Sequence, residues 1–308
     1  MGGPFYIDRN GQGRQMDKRA IAMGVAFSIM WSSAFATARI LMTGAPPFLT
    51  LTARFAISGL IAVLIARALG QSWRLDRQTA RSVIIFGMCQ NALYLGLNFL
   101  AMQKIEASLA AIVASAMPLL VALLSWAFRG ERMGALGVAG LIAGFAGVAL
   151  VMGSRISGGA DGAMVLACIV GAGALAVATL TVGSASKGGN LLMIVGLQMW
   201  VGAAALGIVS ALFETPVIQH SPALWAAFVY QLLIPGLTAT LIWFALVGRI
   251  GAIKASAFHF LNPAFGVIIA ALLLGEHIGP VDILGVVVAA LGILAVQLSK
   301  LHKTAFIP

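Results

Sequence analysis

Residues 118–131 have the sequence PLLVALLSWAFRGE, and residues 263–276 have the sequence PAFGVIIAALLLGE. Each stretch begins with a proline, continues through mostly apolar residues and ends with Gly-Glu, and the two are 145 positions apart. The same offset relates further pairs: Phe99 and Phe244, Ile105 and Ile250, Ala107 and Ala252, Gly140 and Gly285, and Gly147 and Gly292. Self-similarity at a fixed offset indicates two copies of one structural unit.

The apolar residues outside these stretches form similar blocks. The chain of 308 residues is 61% hydrophobic and 9% charged, with a mean hydropathy of +1.02, which is outside the range of soluble domains. The blocks are roughly twenty residues long, the length that crosses a hydrocarbon core of about 30 Å. Ten spans are predicted, at residues 20–42, 48–69, 83–102, 108–128, 134–152, 163–182, 191–212, 224–247, 253–274 and 281–298.

The distribution of Lys and Arg predicts the orientation, because cytoplasmic loops retain positive charge during insertion. With the N-terminus in the cytoplasm, the opposite loops contain only Lys104 and Arg155. The cytoplasmic segments contain fifteen basic residues: Arg9, Arg14, Lys18, Arg19, Arg67, Arg74, Arg77, Arg81, Arg129, Arg132, Lys187, Arg249, Lys254, Lys300 and Lys303. We therefore expect both termini to be cytoplasmic.

Each repeat unit contains five spans, an odd number, so the second copy is inverted relative to the first. The expected fold is an all-α membrane protein with ten transmembrane helices in two inverted five-helix repeats. The repeats are expected at residues 20–153 and 163–299, joined by an extracytoplasmic connector at 154–162 and flanked by cytoplasmic tails at 1–19 and 300–308. In secondary transporters, inverted repeats place the substrate site near the membrane midplane. Channels and scaffolds are also built this way.

Three short motifs resemble a known family. They are Trp31-Ser32-Ser33-Ala34-Phe35, Arg54-Phe55 and the two Pro to Gly-Glu units. Together they resemble the EamA family of the drug/metabolite transporter superfamily, with a similarity extending from about residue 20 to 299. Within that family the chain is most similar to the YddG-type exporters of aromatic and other amino acids from bacterial inner membranes. The resemblance implies ten helices, cytoplasmic termini, a central cavity and export of a small metabolite.

Polar groups within a span are costly unless they face the bundle interior or a wet cavity, so each is a candidate for the substrate site. In the third span, Gln90, Asn91, Tyr94 and Asn98 occupy an arc of about 100° on one helical face. In the eighth span, Tyr230, Gln231 and Thr238 share a similar arc, and Trp243 occupies the repeat position of Asn98. Hydrogen bonding between helices is the alternative role for such residues.

Five further mid-span residues are candidates for substrate binding: Trp31, Arg54, Trp200, His259 and Asn262. The two tryptophans either form cavity walls or are interfacial anchors. Arg54 either attracts a carboxylate or hydrogen-bonds neighbouring carbonyls.

Two prolines at repeat-related positions are candidate hinges. Pro118 and Pro263 each remove a backbone donor near the middle of a span, which frees a carbonyl on the preceding turn. A kink that serves only packing is the alternative. Because the interruption occurs in both copies, we favour a shared mechanical role.

Every Asp and Glu lies in a tail, in a loop or at the end of a span, so no buried carboxylate is available to pair with a cationic drug. The enzymatic motifs of zinc proteases, serine hydrolases and phosphate loops are missing, and the scattered basic residues do not favour nucleic-acid binding. We expect no cofactor and no metal. The predicted function is alternating-access export of amino acids, aromatic ones included. The alternatives are export of nucleosides, sugar phosphates or drugs, or a passive channel or scaffold.

Overall fold

The computed structural model describes residues 18–130, 133–182, 190–250, 255 and 257–304, and the secondary structure of this part is entirely helical. Ten helices follow one another: α1 Lys18–Met42, α2 Pro47–Ala68, α3 Arg77–Ala101, α4 107–129, α5 Ala135–Ser157, α6 Gly162–Val182, α7 Leu191–Phe213, α8 222–250, α9 257–274 and α10 Pro280–Thr304. All but α9 are long and apolar enough to cross a bilayer, and α9 has a shorter apolar stretch, Phe258–Leu274. The expected all-α membrane fold is confirmed.

Several helices extend beyond the predicted spans. Helix α3 begins at Arg77 because Asp76 caps it, with a carboxylate oxygen 2.7 Å from the backbone nitrogen of Thr79. Helix α5 continues to Ser157, so four residues of the expected connector are helical, and Gly158 and Gly159 follow its end. Helix α10 continues to Thr304, into the expected tail. Glu131, Arg132, Lys187 and Lys254 lie outside the described residues.

The contact between α5 and α10 depends on glycine and follows the symmetry of the repeat. A Cβ atom placed on Gly140 would lie 2.8 Å from the carbonyl oxygen of Gly292, and one on Gly147 would lie 2.6 Å from that of Gly285. Gly140 and Gly147 are the repeat counterparts of Gly285 and Gly292, so a pseudo-twofold axis exchanges these two contacts. Small residues allow the close backbone approach that stabilises helix pairs in lipid.

Helices α4 and α9 are interrupted at equivalent positions. The first part of α4 ends at Ser115, and a new helical segment, Met117–Arg129, has Pro118 in its first turn. In α9 a 3₁₀ segment, Ala257–Leu261, precedes Asn262–Leu274, which has Pro263 in its first turn. Proline is tolerated in a first turn because its missing N–H has no intrahelical partner there.

We use "terminal end" for the end of the bundle that contains Lys18 and Thr304, and "distal end" for the opposite one. At the distal end two carboxylates cap helices of the other repeat. Glu276 accepts hydrogen bonds from the backbone nitrogens of Ala107 and Ser108, at 2.7 and 2.9 Å, at the start of α4. Glu214 caps the start of α2 in the same way, with two bonds of 2.8 Å. Negative charge is favourable at a helix N-terminus.

Arg155 joins the two repeats beside these caps. Its guanidinium donates to Glu106, to both carboxylate oxygens of Asp282 and to the carbonyl oxygen of His277. The pKa of Glu106 is raised above its usual value, mainly by burial and further by the neighbouring carboxylates Glu276 and Asp282. The positive charge of Arg155 offsets only part of this rise. The distal end is therefore held by a network that crosses the repeat boundary.

Replacement of Gly147 by alanine should destabilise the protein. The new Cβ would lie 2.5 Å from the backbone nitrogen of Ala289, so the α5 and α10 backbones must separate. We expect a loss of about 1–3 kcal/mol, measured as a lower midpoint of thermal unfolding in detergent. Gly153→Ala, on the same helix, is the control, because nothing lies within 4 Å of its Cβ position. Equal midpoints for both variants would contradict the packing role.

Candidate functional site

A cavity opens in the described bundle between α1, α2, α3, α7 and α8. Its empty space, including the opening, is about 610 Å³. The polar side chains at its wall are Arg54, Gln90, Asn91, Tyr94, Asn98, Gln231 and Thr240. The apolar wall consists of Trp31, Ala34, Phe35, Ala38, Phe55, Leu95, Phe99, Met102, Met199 and Pro235, and Gly236 completes it.

Widened turns position part of the polar wall. Helix α3 has a π-helical segment, Gly87–Leu95, and α8 has another, Leu232–Thr238. The two segments begin 145 positions apart, at repeat-related residues. Bonds from i to i+5 change the direction in which the following side chains point, and such segments are frequent at functional sites. In α8 this segment contains Pro235, which has no N–H to donate to a regular helical ladder.

Close packing between α3 and α7 fixes the widened turn of α3. A Cβ atom on Gly87 would lie 2.7 Å from the carbonyl oxygen of Gln198, so only glycine allows this approach. The same carbonyl accepts a hydrogen bond of 2.9 Å from the side-chain nitrogen of Asn91. The amide of Asn91 is thus anchored to α7 where it borders the cavity.

Arg54 is the charged residue of the cavity wall. Only 6% of its surface is exposed, and its Nε and Nη1 atoms are buried without a hydrogen-bond partner. Its guanidinium carbon lies 5.5 Å from the ring centre of Phe55. No carboxylate of the described residues pairs with it. The structural alternative, in which Arg54 bonds neighbouring carbonyls, is therefore not observed for these two nitrogens.

Two amides, one on α3 and one on α8, line the same cavity as Arg54. Gln231 is fully buried, and its nitrogen donates to the hydroxyl of Thr37 at 2.8 Å and to the carbonyl oxygen of Ala34 at 2.5 Å. Asn98 donates to the carbonyl oxygen of Tyr94 at 2.8 Å. The oxygens of both amides are buried without a partner. The site therefore contains free donors on Arg54 and free acceptors on the amides.

Seven of the sequence-predicted candidates line this cavity: Trp31, Arg54, Gln90, Asn91, Tyr94, Asn98 and Gln231. Three others form an aromatic cluster with Phe27, closer to the terminal end. Trp243 and His259 lie 4.8 and 5.5 Å from Phe27 between ring centres, and Asn262 contacts the Nδ1 atom of His259 at 2.9 Å. Phe27 in turn lies 5.7 Å from Trp31, which connects the cluster to the cavity wall.

The remaining three candidates lie apart from the cavity. Tyr230 shares a hydrogen bond of 2.8 Å with the hydroxyl of Ser33, on α1. Thr238 is exposed and donates to the carbonyl oxygen of Leu233 in the widened turn. Trp200 is 37% exposed, packs against Gly59 and donates to the carbonyl oxygen of Ala56.

Sequence reasoning missed most of the apolar wall. Phe35, Phe55 and Phe99 have the same character as residues of the core, so no pattern distinguishes them. Met199 could have been identified from the sequence as a candidate for the cavity wall, because it is the repeat counterpart of Arg54. Thr240 replaces Thr238 at the wall because the widened turn shifts the face of α8. Within the described ranges no three His, Cys, Asp or Glu residues come together as a metal site.

Comparison with known proteins shows that the chain is similar to a family of transporters. The profile of the EamA-like transporter family matches residues 18–153 and 162–298. The chain is 27% identical over 301 residues to the uncharacterized transporter YvbV of Bacillus subtilis (strain 168), covering 96% of this chain and 97% of that protein. It is 24% identical over 278 residues to the uncharacterized transporter YoaV of the same organism, covering 87% of this chain and 93% of that protein.

A solved structure, titled only as the crystal structure of a protein, has the same fold. Its TM-score is 0.69 at 21% identity, and the match covers 94% of this chain and 99% of that chain. The family profile covers both five-helix units, which contain the cavity and the interrupted helices. This chain belongs to the EamA-like transporter family.

Proposed function

We propose that the protein is a secondary transporter that exports amino acids, aromatic ones included, through the cavity between α1, α2, α3, α7 and α8. The observation that carries this proposal is the buried, unpaired guanidinium of Arg54. A guanidinium remains protonated in proteins, so its charge in a membrane interior favours an anionic partner. A substrate carboxylate supplies that partner with the geometry of two parallel hydrogen bonds.

The composition of the wall narrows the substrate class. Arg54 is the one charged side chain that lines the cavity in the described structure, which favours a singly charged carboxylate over a phosphate dianion. No carboxylate lines the cavity, so the described wall offers no counter-ion to a cationic drug. Nucleosides lack an anionic group for Arg54. These features support amino acids over the alternative substrates.

The aromatic part of the wall supports the inclusion of aromatic amino acids. Trp31, Phe35, Phe55 and Phe99 provide flat apolar surfaces from three helices. Aromatic pairs contribute about 0.5–1.5 kcal/mol beyond the burial of their area. A phenyl or indole side chain can pack there while its carboxylate approaches Arg54.

Alternating access is the transport mode that we propose. The cluster of Phe27, Trp243 and His259, which contacts the cavity wall at Trp31, is proposed to close the path between the cavity and the terminal end. The interruptions before Pro118 and Pro263 occur once in each repeat and are proposed as hinges. In transporters with inverted repeats, one group of helices rocks against another around a central site. A passive channel would need an open path past this cluster.

We also propose a bacterial inner-membrane location with both termini in the cytoplasm. The fifteen-to-two distribution of basic residues in the loops supports this orientation. The two basic loop residues of the distal end, Lys104 and Arg155, both pair with carboxylates, which further reduces its positive charge. Export then corresponds to movement from the terminal end to the distal end.

Replacement of Arg54 by glutamine should abolish most amino-acid transport. Its loss removes the charged donor for the carboxylate, so we expect at least a tenfold lower rate of counterflow in proteoliposomes. The substrates are a panel of labelled amino acids, with a nucleoside and a sugar phosphate for comparison. Arg67→Gln is the matched control, because Arg67 is on the same helix, is exposed and does not line the cavity.

Unchanged counterflow by Arg54→Gln would contradict the assigned role of this residue. Transport of the nucleoside or the sugar phosphate in preference to every amino acid would contradict the substrate class. An uptake that does not saturate and shows no counterflow would contradict a carrier.

A covalent bridge across the aromatic cluster should stop transport. In a variant whose native Cys89 and Cys168 are serine, Phe27→Cys and Trp243→Cys are joined by a short bifunctional methanethiosulfonate, which forms a disulfide with each cysteine, since the two native rings lie 4.8 Å apart. We expect counterflow to fall at least tenfold and to return after reduction of the bridge. Each single-cysteine variant, treated in the same way, is the control. Full activity of the bridged protein would mean that the cluster does not have to open.

A further inference from the structure

Hydrogen bonds to backbone carbonyls fix the orientation of two side-chain amides in the cavity, those of Asn98 and Gln231. A backbone carbonyl only accepts hydrogen bonds, so the side-chain atom that contacts it must be the amide nitrogen. In Gln231 that nitrogen contacts the carbonyl oxygen of Ala34, and in Asn98 it contacts that of Tyr94. The other end of each amide is therefore the carbonyl oxygen, which can accept but cannot donate.

These two oxygens are unsatisfied. Asn98 is 1% exposed and Gln231 is 0% exposed, and neither amide oxygen has a hydrogen-bond partner. Buried polar atoms without partners are rare in native proteins, and each calls for an explanation. Because both residues line the cavity, a ligand with hydrogen-bond donors is the direct explanation. An ammonium group has three donors and no acceptor.

Arg54, which lines the same cavity, has buried hydrogen-bond donors that lack acceptors. Its unpartnered Nε and Nη1 atoms can donate but cannot accept. It lies beside the widened turn of α8: a Cβ atom on Gly236 would be 3.9 Å from Arg54 Nη2 and 3.0 Å from the backbone oxygen of Gln231. The guanidinium therefore lies next to the helix that carries Gln231.

We infer that the cavity binds the zwitterion of an α-amino acid through two separate subsites. Arg54 binds the carboxylate, and the amide oxygens of Asn98 and Gln231 bind the ammonium group. This inference rests on the proposed function and adds the requirement that a substrate carry both groups. A monocarboxylate leaves the two amide oxygens unpaired, and an amine meets the unpaired positive charge of Arg54.

Two analogues that each lack one charged group test this requirement on the unmodified protein. The measurement is inhibition of L-phenylalanine counterflow by 3-phenylpropionate, which lacks the amine, and by 2-phenylethylamine, which lacks the carboxylate. We expect 3-phenylpropionate to bind at least about tenfold more weakly than phenylalanine, and the amine to be the weakest competitor. Equal competition by phenylalanine and 3-phenylpropionate would overturn the inference. If another amino acid gives the fastest counterflow, its own two analogues take their place.

Variants of the amides assign the ammonium subsite. Asn98→Leu and Gln231→Leu should each reduce the ratio between the inhibition constants of 3-phenylpropionate and phenylalanine at least threefold, because the acceptor for the ammonium is lost. Asn98→Asp retains an acceptor and adds a charge, so it should keep the preference for phenylalanine and strengthen competition by the amine. These ratios do not depend on the amount of folded protein. Ratios of phenylalanine to 3-phenylpropionate that stay at the wild-type value in both leucine variants would overturn the assignment.

Asn262→Leu is the matched control. Asn262 also has a buried amide oxygen without a partner, but it lies in the aromatic cluster and does not line the cavity. Its replacement should leave the ratio of the two inhibition constants unchanged. Failure of every amino acid to show counterflow would reject the proposed function itself. Counterflow of amino acids with equal competition by the carboxylate analogue would reject only the two subsites.

Discussion

Hydrocarbon offers no water to a polar group, so every donor and acceptor within the bundle needs a partner from the protein or from a ligand. The structure meets this requirement in several ways. The threonines Thr238 and Thr240 bond carbonyls in and beside the widened turn of α8, and the carboxylates of Glu214 and Glu276 bond the first nitrogens of α2 and α4. Against this background, the free atoms of Arg54, Asn98 and Gln231 stand together at one cavity. The unsatisfied hydrogen-bonding groups of these three residues are the basis for proposing a substrate.

The two repeats contribute symmetry to the scaffold and asymmetry to the site. Glycine pairs at the α5–α10 contact, the interruptions before Pro118 and Pro263 and the two widened turns all recur at the same offset. At the cavity the counterparts differ: Met199 corresponds to Arg54. Trp243, which corresponds to Asn98, belongs to the aromatic cluster. The recurring features are constrained in both copies by the same backbone geometry. A single asymmetric substrate needs only one positively charged group and one set of hydrogen-bond acceptors, so these do not have to recur.

The sequence was sufficient for the spans and for part of the site. The length of the apolar blocks predicts ten helices because the bilayer fixes their length, and polar residues within α3 were found because each is costly in lipid. The positions of Tyr230, Thr238 and Trp200 could not be predicted, since the widened turn of α8 and the local bonds of these side chains depend on tertiary contacts. His259 and Trp243 lie in the aromatic cluster and not among the residues that line the cavity, and no pattern in the sequence distinguishes these two locations. Apolar wall residues carry no signal that distinguishes them from the core.

The charge of Arg54 also bears on how substrate and movement are coupled. A guanidinium cannot discharge by losing its proton, so an empty cavity that closes around it leaves an uncompensated charge in a low-dielectric interior. A bound carboxylate removes most of that cost, and an ammonium on the amide oxygens removes the cost of the unpaired acceptors. In the proposed cycle the loaded protein therefore closes more readily than the empty one. Because a ligand shifts a conformational equilibrium only by its differential affinity for the two states, the substrate would act on the proposed hinges through these few atoms.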